Sequence, residues 1–259
     1  PALAARKATG EQPNIALILV DALPSWLLGC YGNTEIRTPH IDLLAQTGTR
    51  LLNHYAASPI AEPARASLLT GRTPMQLKET GEVTLEKLLG GIGYACGYTT
   101  GGASALQFLD AQSAGKPFFL TAAFAPFANL PADAGAYAQA KLETFAQESP
   151  AKTAARGQDM LGAKLLPNLR KLAAATTALD SEIGSLVAKL TQKKLLGDTL
   201  LLFTSPCGSL FGRHGLWGAG DASEPVNLYE EVVATPMLWS WPGRVPPLAV
   251  RPELVSAYD

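Results

Sequence analysis

Side chains able to do chemistry are sparse among the 259 residues, which carry three cysteines and three histidines. Cys207 and His214, seven residues apart, have the types needed for a thiolate nucleophile and its base, but no acid to orient the imidazole stands near them in sequence. Ser58 offers a hydroxyl nucleophile. Asp21 directly follows an apolar run, where its carboxylate would either ligate a metal or cap backbone N–H groups at a strand end. Arg65, two residues after Pro63, would either clamp an anion at a helix start or close an ion pair. The glycine-rich stretch 90–97 suggests a phosphate cradle. It lacks both the Lys-Ser/Thr ending of a phosphate loop and the Gly-x-Gly-x-x-Gly spacing, so it reads as a helix end feeding a strand. His40 and His54 belong to no metal-spaced cluster, and Cys30 and Cys96 read as small packing residues.

These residues sit between elements that alternate in type. Continuous apolar character predicts buried strands over 14–20, 117–122, 199–204 and 233–239. Residues 39–48, 64–71 and 84–89 read as helices, with Pro39 and Pro63 where a first turn tolerates proline. The longest helix is predicted over 166–196, because Leu169, Leu172, Leu179, Ile183, Leu186 and Leu190 recur at helical spacing and Gly197 supplies a stop. The Ala-, Gln-, Glu- and Lys-rich stretch 132–162 reads as an insertion or mobile excursion. The alternation predicts an α/β fold built on a largely parallel sheet.

A series of short words gives the chain a family resemblance. They are PNIALILVD at 13–21, LGCYGN at 28–33, TPHID at 38–42, PARASLLTGR at 63–72, KPFFL at 116–120, Leu179-Asp180 with Ile183-Gly184, TLLLFTS at 199–205, HGLWG at 214–218, and Tyr229-Glu230 through Trp241-Pro242-Gly243. In this order they resemble the sulfatase family of the alkaline-phosphatase-like superfamily. The resemblance implies a three-layer α/β/α sandwich around a mostly parallel mixed sheet. It also implies a sulfuric-ester hydrolase that uses calcium and a formylglycine nucleophile made by oxidising a Cys or Ser.

The departures from the family pattern fall on the positions that would do the chemistry. The nucleophile of the Cys/Ser-x-Pro-x-Arg word is replaced by Ala61, which has no heteroatom to oxidise; Arg65 of that word remains. Of the Asp pair that closes the first strand, Asp21 is followed by Ala22. The Ser-Asp-His/Asn-Gly word reads Ser205-Pro206-Cys207-Gly208, giving a proline and a poor calcium ligand where oxygen donors are expected. A Gly-Lys-x-His word is missing after residue 102, where the chain reads as shortened. Phe127 stands where a His usually follows Ala-Pro, and Ala219 where a Lys often follows HGLWG. The words that shape the backbone persist, and a fold can outlive its site.

The expected function is therefore that of a non-catalytic sulfatase-like protein with a structural or protein-binding role, as one subunit of a larger assembly. The alternative is a sulfate- or phosphate-ester hydrolase working through Ser58, Cys207 or direct water attack. No cofactor is expected, and the residual Arg65 leaves a sulfated or phosphorylated ligand as a third reading. Lys plus Arg (21) nearly cancels Asp plus Glu (22) and the basic residues are scattered, so no nucleic-acid surface is advertised. No apolar stretch approaches the roughly 20 residues needed to cross a bilayer. The expected organisation is a leader or linker over 1–12 and a sulfatase-like N-terminal domain over 13–259, with the family's smaller C-terminal subdomain absent or truncated. Export is expected from the resemblance alone.

Overall fold

The computed structural model describes residues 12–78, 81–112, 115–145 and 148–258, so nearly all of the expected leader lies outside the described residues. Seven strands form one sheet: β1 (Asn14–Val20), β2 (Thr49–Tyr55), β3 (Ala95–Thr100), β4 (Phe118–Phe124), β5 (Thr199–Thr204), β6 (Met237–Ser240) and β7 (Ala249–Ser256). Their spatial order is β3-β4-β1-β5-β6-β2-β7. Only β6 runs against its neighbours; the β3-β4, β4-β1, β1-β5 and β2-β7 pairs are parallel.

β1 is central because it can be buried on both sides. Ala16, Ile18 and Val20 face one layer and Leu17 and Leu19 the other, all within the core. The first layer is built by α1 (Pro39–Gln46), α4 (Gly102–Asp110) and α5 (Leu165–Gln192), and the second by α2 (Ala61–Thr70) and α3 (Leu85–Gly91). This is the expected three-layer sandwich. α5 buries Leu165, Leu169, Leu172, Leu179, Ile183, Leu186 and Leu190 along one stripe. Asp180 lies buried in the same stripe because its carboxylate caps α1, accepting hydrogen bonds from the backbone N–H groups of His40 (3.0 Å) and Ile41 (2.8 Å).

Several boundaries differ from the sequence reading. α2 starts three residues before the expected 64, since Pro63, with no N–H to satisfy, fits inside a first turn that begins at Ala61. α5 stops before Gly197: Lys194 takes the left-handed conformation (φ 59°) that turns the chain, and Gly197 falls in the next 3₁₀ turn. The strand expected over 233–239 divides at Pro236 into the short α6 (Glu230–Val233) and β6. β2, α4 and β7 were not among the expected elements. The described residues of 132–162 carry short 3₁₀ turns and a β-bridge from Ala154 to Ser223, and Tyr137, Leu142, Phe145 and Leu161 are buried in the main core, so this excursion is anchored. Among the described residues no helix is long and apolar enough to cross a membrane.

Candidate functional site

Parallel strands bring their carboxyl ends to one edge of the sheet, and the loops there converge on the end of β1. Flanked by β4 and β5, β1 places Asp21 between the loops that start at residues 125 and 205. The backbone N–H of Asp21 bonds to the carbonyl of Phe124 at 2.8 Å, and that of Leu23 donates to Ser205 Oγ at 3.2 Å. Ser205 Oγ in turn donates to the carbonyl of Cys207 at 2.6 Å. Gly208 approaches the next loop so closely that a Cβ there would lie 2.1 Å from the carbonyl oxygen of Glu231. Only glycine fits, which is a packing reason for that residue.

Asp21 and Arg65 meet. Arg65 Nη2 donates to Asp21 Oδ1 at 2.6 Å and Nη1 to the Tyr98 hydroxyl at 3.3 Å, joining α2 to the ends of β1 and β3. Burial works against the Arg65 charge, but the adjacent Asp21 carboxylate outweighs it and the guanidinium stays firmly protonated. The ion pair expected as one reading of Arg65 is present, with Asp21 as its partner. Asp21 does not cap its strand end through its side chain; it serves as the partner of Arg65.

The other positions singled out in the sequence contribute no reactive group to this edge. Ala61 is the first residue of α2, and its methyl group can neither attack nor ligate. Ala22 holds a left-handed backbone (φ 57°) between Asp21 and the bond to Ser205. Phe127 stacks edge-on against Phe211 (5.1 Å between centroids), and Phe211 against Trp217 (5.2 Å), so aromatic rings join the loop after β4 to the loop after β5. Ala219 packs with Leu210, Leu216, Ala222 and Val232 in a small apolar cluster.

Cys207 is fully buried. Burial raises its thiol pKa to about 12, with the Asp21 and Asp221 carboxylates adding to the shift and Arg65 opposing it. A neutral, enclosed thiol is not a nucleophile. His214 has an acid partner that its sequence neighbourhood does not reveal. Its Nε2 lies 3.2 Å from Glu231 Oε2, its ring stacks on Tyr229 at 3.8 Å, and Glu231 also takes a 3.3 Å contact from Arg213 Nη1. Burial pushes the Glu231 carboxyl up, but its own backbone N–H, His214 and Arg213 together hold it below the usual range. Arg213 in turn sits over the Trp26 ring, 4.4 Å from the centroid. Every group in this cluster engages another, which pins the loop after β5 to the segment entering α6. Tyr98, Tyr229 and Glu231 were not singled out in the sequence, because their partners are distant along the chain.

The remaining candidates are structural, except that Cys96, expected as a small buried packing residue, is exposed. Ser58 Oγ accepts the N–H of Ile60 in a local turn. His40 Nδ1 contacts Asp180 Oδ2 at 2.7 Å and His54 Nδ1 contacts Thr235 Oγ1 at 2.9 Å. Gly93 (φ 101°) turns the chain from the end of α3 toward β3, as expected for the glycine-rich stretch. Cys30 accompanies Asp42, whose Oδ1 accepts the Cys30 N–H at 2.6 Å.

Calcium does not fit the residues present. A hard cation wants several oxygen donors converging on one point. Asp21 is taken by Arg65, Ala22 and Pro206 offer no side-chain donor, and among the described residues no group of three or more His, Cys, Asp or Glu could hold a metal. Two hollows lie away from these residues: one of about 770 Å³ between α1, α5 and residues 240–247, and one of about 260 Å³ around Asp42 and Arg50.

Comparison with known proteins identifies what this architecture is similar to. A family model described as Sulfatase matches residues 13–103 and 102–259. Rat (Rattus norvegicus) steryl-sulfatase is 43% identical over 107 residues, 34% of this chain and 18% of the relative. Human (Homo sapiens) arylsulfatase D is 52% identical over 67 residues, 26% of this chain and 11% of the relative. These matches thus span less than a fifth of each relative's length. The solved phosphonate monoester hydrolase of Agrobacterium radiobacter superposes with a TM-score of 0.76 at 16% identity, covering 96% of this chain and 72% of that one. The PsFucS1 sulfatase of Pseudoalteromonas sp. superposes with a TM-score of 0.67 at 19% identity, covering 96% and 66%. At these identities the superpositions speak for the fold.

Proposed function

We propose that this chain, which belongs to the sulfatase family, keeps the family's scaffold without its catalysis and acts as a structural or protein-binding component of a larger assembly. The observation that carries this reading is the content of the strand-end edge. The residue at the head of α2 is Ala61, and the one carboxylate at the end of β1 is held in an ion pair by Arg65. Formylglycine needs a Cys or Ser at the position read as its site, and calcium needs a donor set that Ala22, Pro206 and Cys207 do not supply.

The residues that remain do work of another kind. Asp21, Arg65 and Tyr98 tie β1, α2 and β3 together, Ser205 bridges the loops after β1 and β5, and Phe127, where a His is usual, packs through Phe211 toward Trp217. Each of these contacts stabilises the edge: the Ser205 hydroxyl is buried and donates to a backbone carbonyl, and the Asp21 carboxylate is paired with Arg65. Cys207 and Ser58 lend no support to the hydrolase alternative, since the thiol is enclosed and neutral and the hydroxyl serves a turn. In this reading Ala61, Ala22, Pro206, Cys207, Phe127 and Ala219 mark lost catalytic positions, no cofactor is used, and the protein is exported like other family members. The test is turnover of aryl sulfates and aryl phosphates by the purified chain with calcium added. The expected result is release no faster than in buffer; calcium-dependent release well above that of an Arg65→Ala variant would overturn the proposal.

A further inference from the structure

The poor fit of calcium leaves a question of charge: Asp21 stands in the middle of the sheet's carboxyl edge, its side chain only 27% exposed, and needs a counter-charge there. Among the described residues the ion pair it forms is with Arg65, at 2.6 Å and 30% exposure. Three features fix that guanidinium in place. Arg65 is on the first turns of α2, so its backbone is set by a helix whose Ala64 and Ser67 are buried. Its second arm is held by the Tyr98 hydroxyl from β3. The Asp21 backbone is itself tethered to Phe124, and the turn that follows it at Ala22 is pinned by the Leu23 bond to Ser205.

We infer that Arg65 is the resident cation of this site, doing for Asp21 what a divalent ion would do, so that the strand-end loops are held together without metal. The inference rests on the non-catalytic reading and extends it from loss to replacement. The guanidinium delivers its charge along with directional hydrogen bonds, and its covalent attachment to α2 makes it present at every metal concentration. A cation arriving from solution would have to expel Arg65 to reach Asp21, beside a buried thiol, while Asp221, whose charge reaches Cys207, is itself paired with Arg156.

The experiment is thermal and urea unfolding of the whole chain in calcium chloride, magnesium chloride and EDTA, together with a double-mutant cycle of Asp21→Asn, Arg65→Met and the double variant. The expected result is a wild-type midpoint unmoved by either metal or by chelation. Both single variants should be less stable, and the double variant should be less destabilised than the sum, with a coupling of about five-fold in the unfolding equilibrium constant, as for a partly exposed pair with good geometry. A calcium-induced rise in the wild-type midpoint overturns the inference, and so does additivity of the two substitutions. Should a variant fail to fold, the wild-type titration decides alone. The two readings fail separately: an inactive chain that calcium stabilises contradicts the resident cation and leaves the non-catalytic reading standing, whereas an active chain indifferent to metal does the reverse.

Discussion

Replacing Asp180 by alanine removes a buried carboxylate that does three jobs. It accepts the backbone N–H groups of His40 and Ile41 at 3.0 and 2.8 Å, and its second oxygen holds His40 Nδ1 at 2.7 Å. Thr38, at the N-cap of α1, makes no side-chain cap; its hydroxyl accepts the Gly29 N–H and meets Asp42 instead, so α1 depends on α5 for its cap. Losing a side-chain cap is worth roughly 0.5–2 kcal/mol, and stranding a second partly buried N–H adds about 1–2 kcal/mol, giving about 3 kcal/mol for Asp180→Ala. For a domain of this size that corresponds to a fall in Tm of about 6–12 °C. Asp180→Asn keeps an acceptor for both N–H groups and should lose less than half as much. Urea unfolding followed by far-UV circular dichroism measures both. A Asp180→Ala variant within about 1 kcal/mol of wild type would refute the claim that the two helices are joined through this cap.

Other perturbations follow from the same contacts. Cys207, with its thiol at about 12 and no exposed surface, should resist a thiol reagent at pH 8 that modifies the exposed Cys96, and react only on unfolding; mass mapping of rapid native labelling at Cys207 would contradict its enclosure. Glu231 has a depressed folded-state pKa, so its ion-pair stabilisation is present above the ordinary carboxylate range and is lost as pH falls through the lower folded value; the stability gap between wild type and Glu231→Gln should therefore close on acidification, and a gap constant with pH would count against the His214 and Arg213 contacts. Ala22→Gly should raise stability by about 0.5 kcal/mol, because relief of a left-handed alanine of about 1–2 kcal/mol exceeds glycine's extra entropy of about 0.5–1 kcal/mol; a destabilised variant would show that the Ala22 methyl packs productively.

How legible each part was depends on whether its cause is local. β1 and α5 carry their signals within themselves, as continuous apolar character and as leucines at helical spacing, and both appear close to the expected residues. β7 does not: the consecutive Arg251, Pro252 and Glu253 interrupt its apolar residues at an exposed sheet edge, and its place comes from pairing with β2, two hundred residues earlier in the chain. α4 was hidden because residues 101–104 were read for a missing motif and not for the helix that Ala105 and Leu109 anchor in the core. At the site, the sequence named Asp21 and Arg65 but left open whether they meet, since 44 positions separate them. The contacts of Tyr98, Glu231 and Tyr229 are hidden for the same reason, and the chain turns out of α5 at a left-handed Lys194, not at Gly197.

Whether the strand-end edge of this family scaffold is catalytically silent is decided by following the chain's intact mass and the released phenol together during incubation with excess para-nitrophenyl sulfate and calcium. The mass should stay unchanged and no nitrophenol should appear above the buffer rate, because Ala61 cannot form an adduct and Cys207 is enclosed. A sulfated adduct of the chain, or nitrophenol released in proportion to protein and abolished by Arg65→Ala, would contradict it.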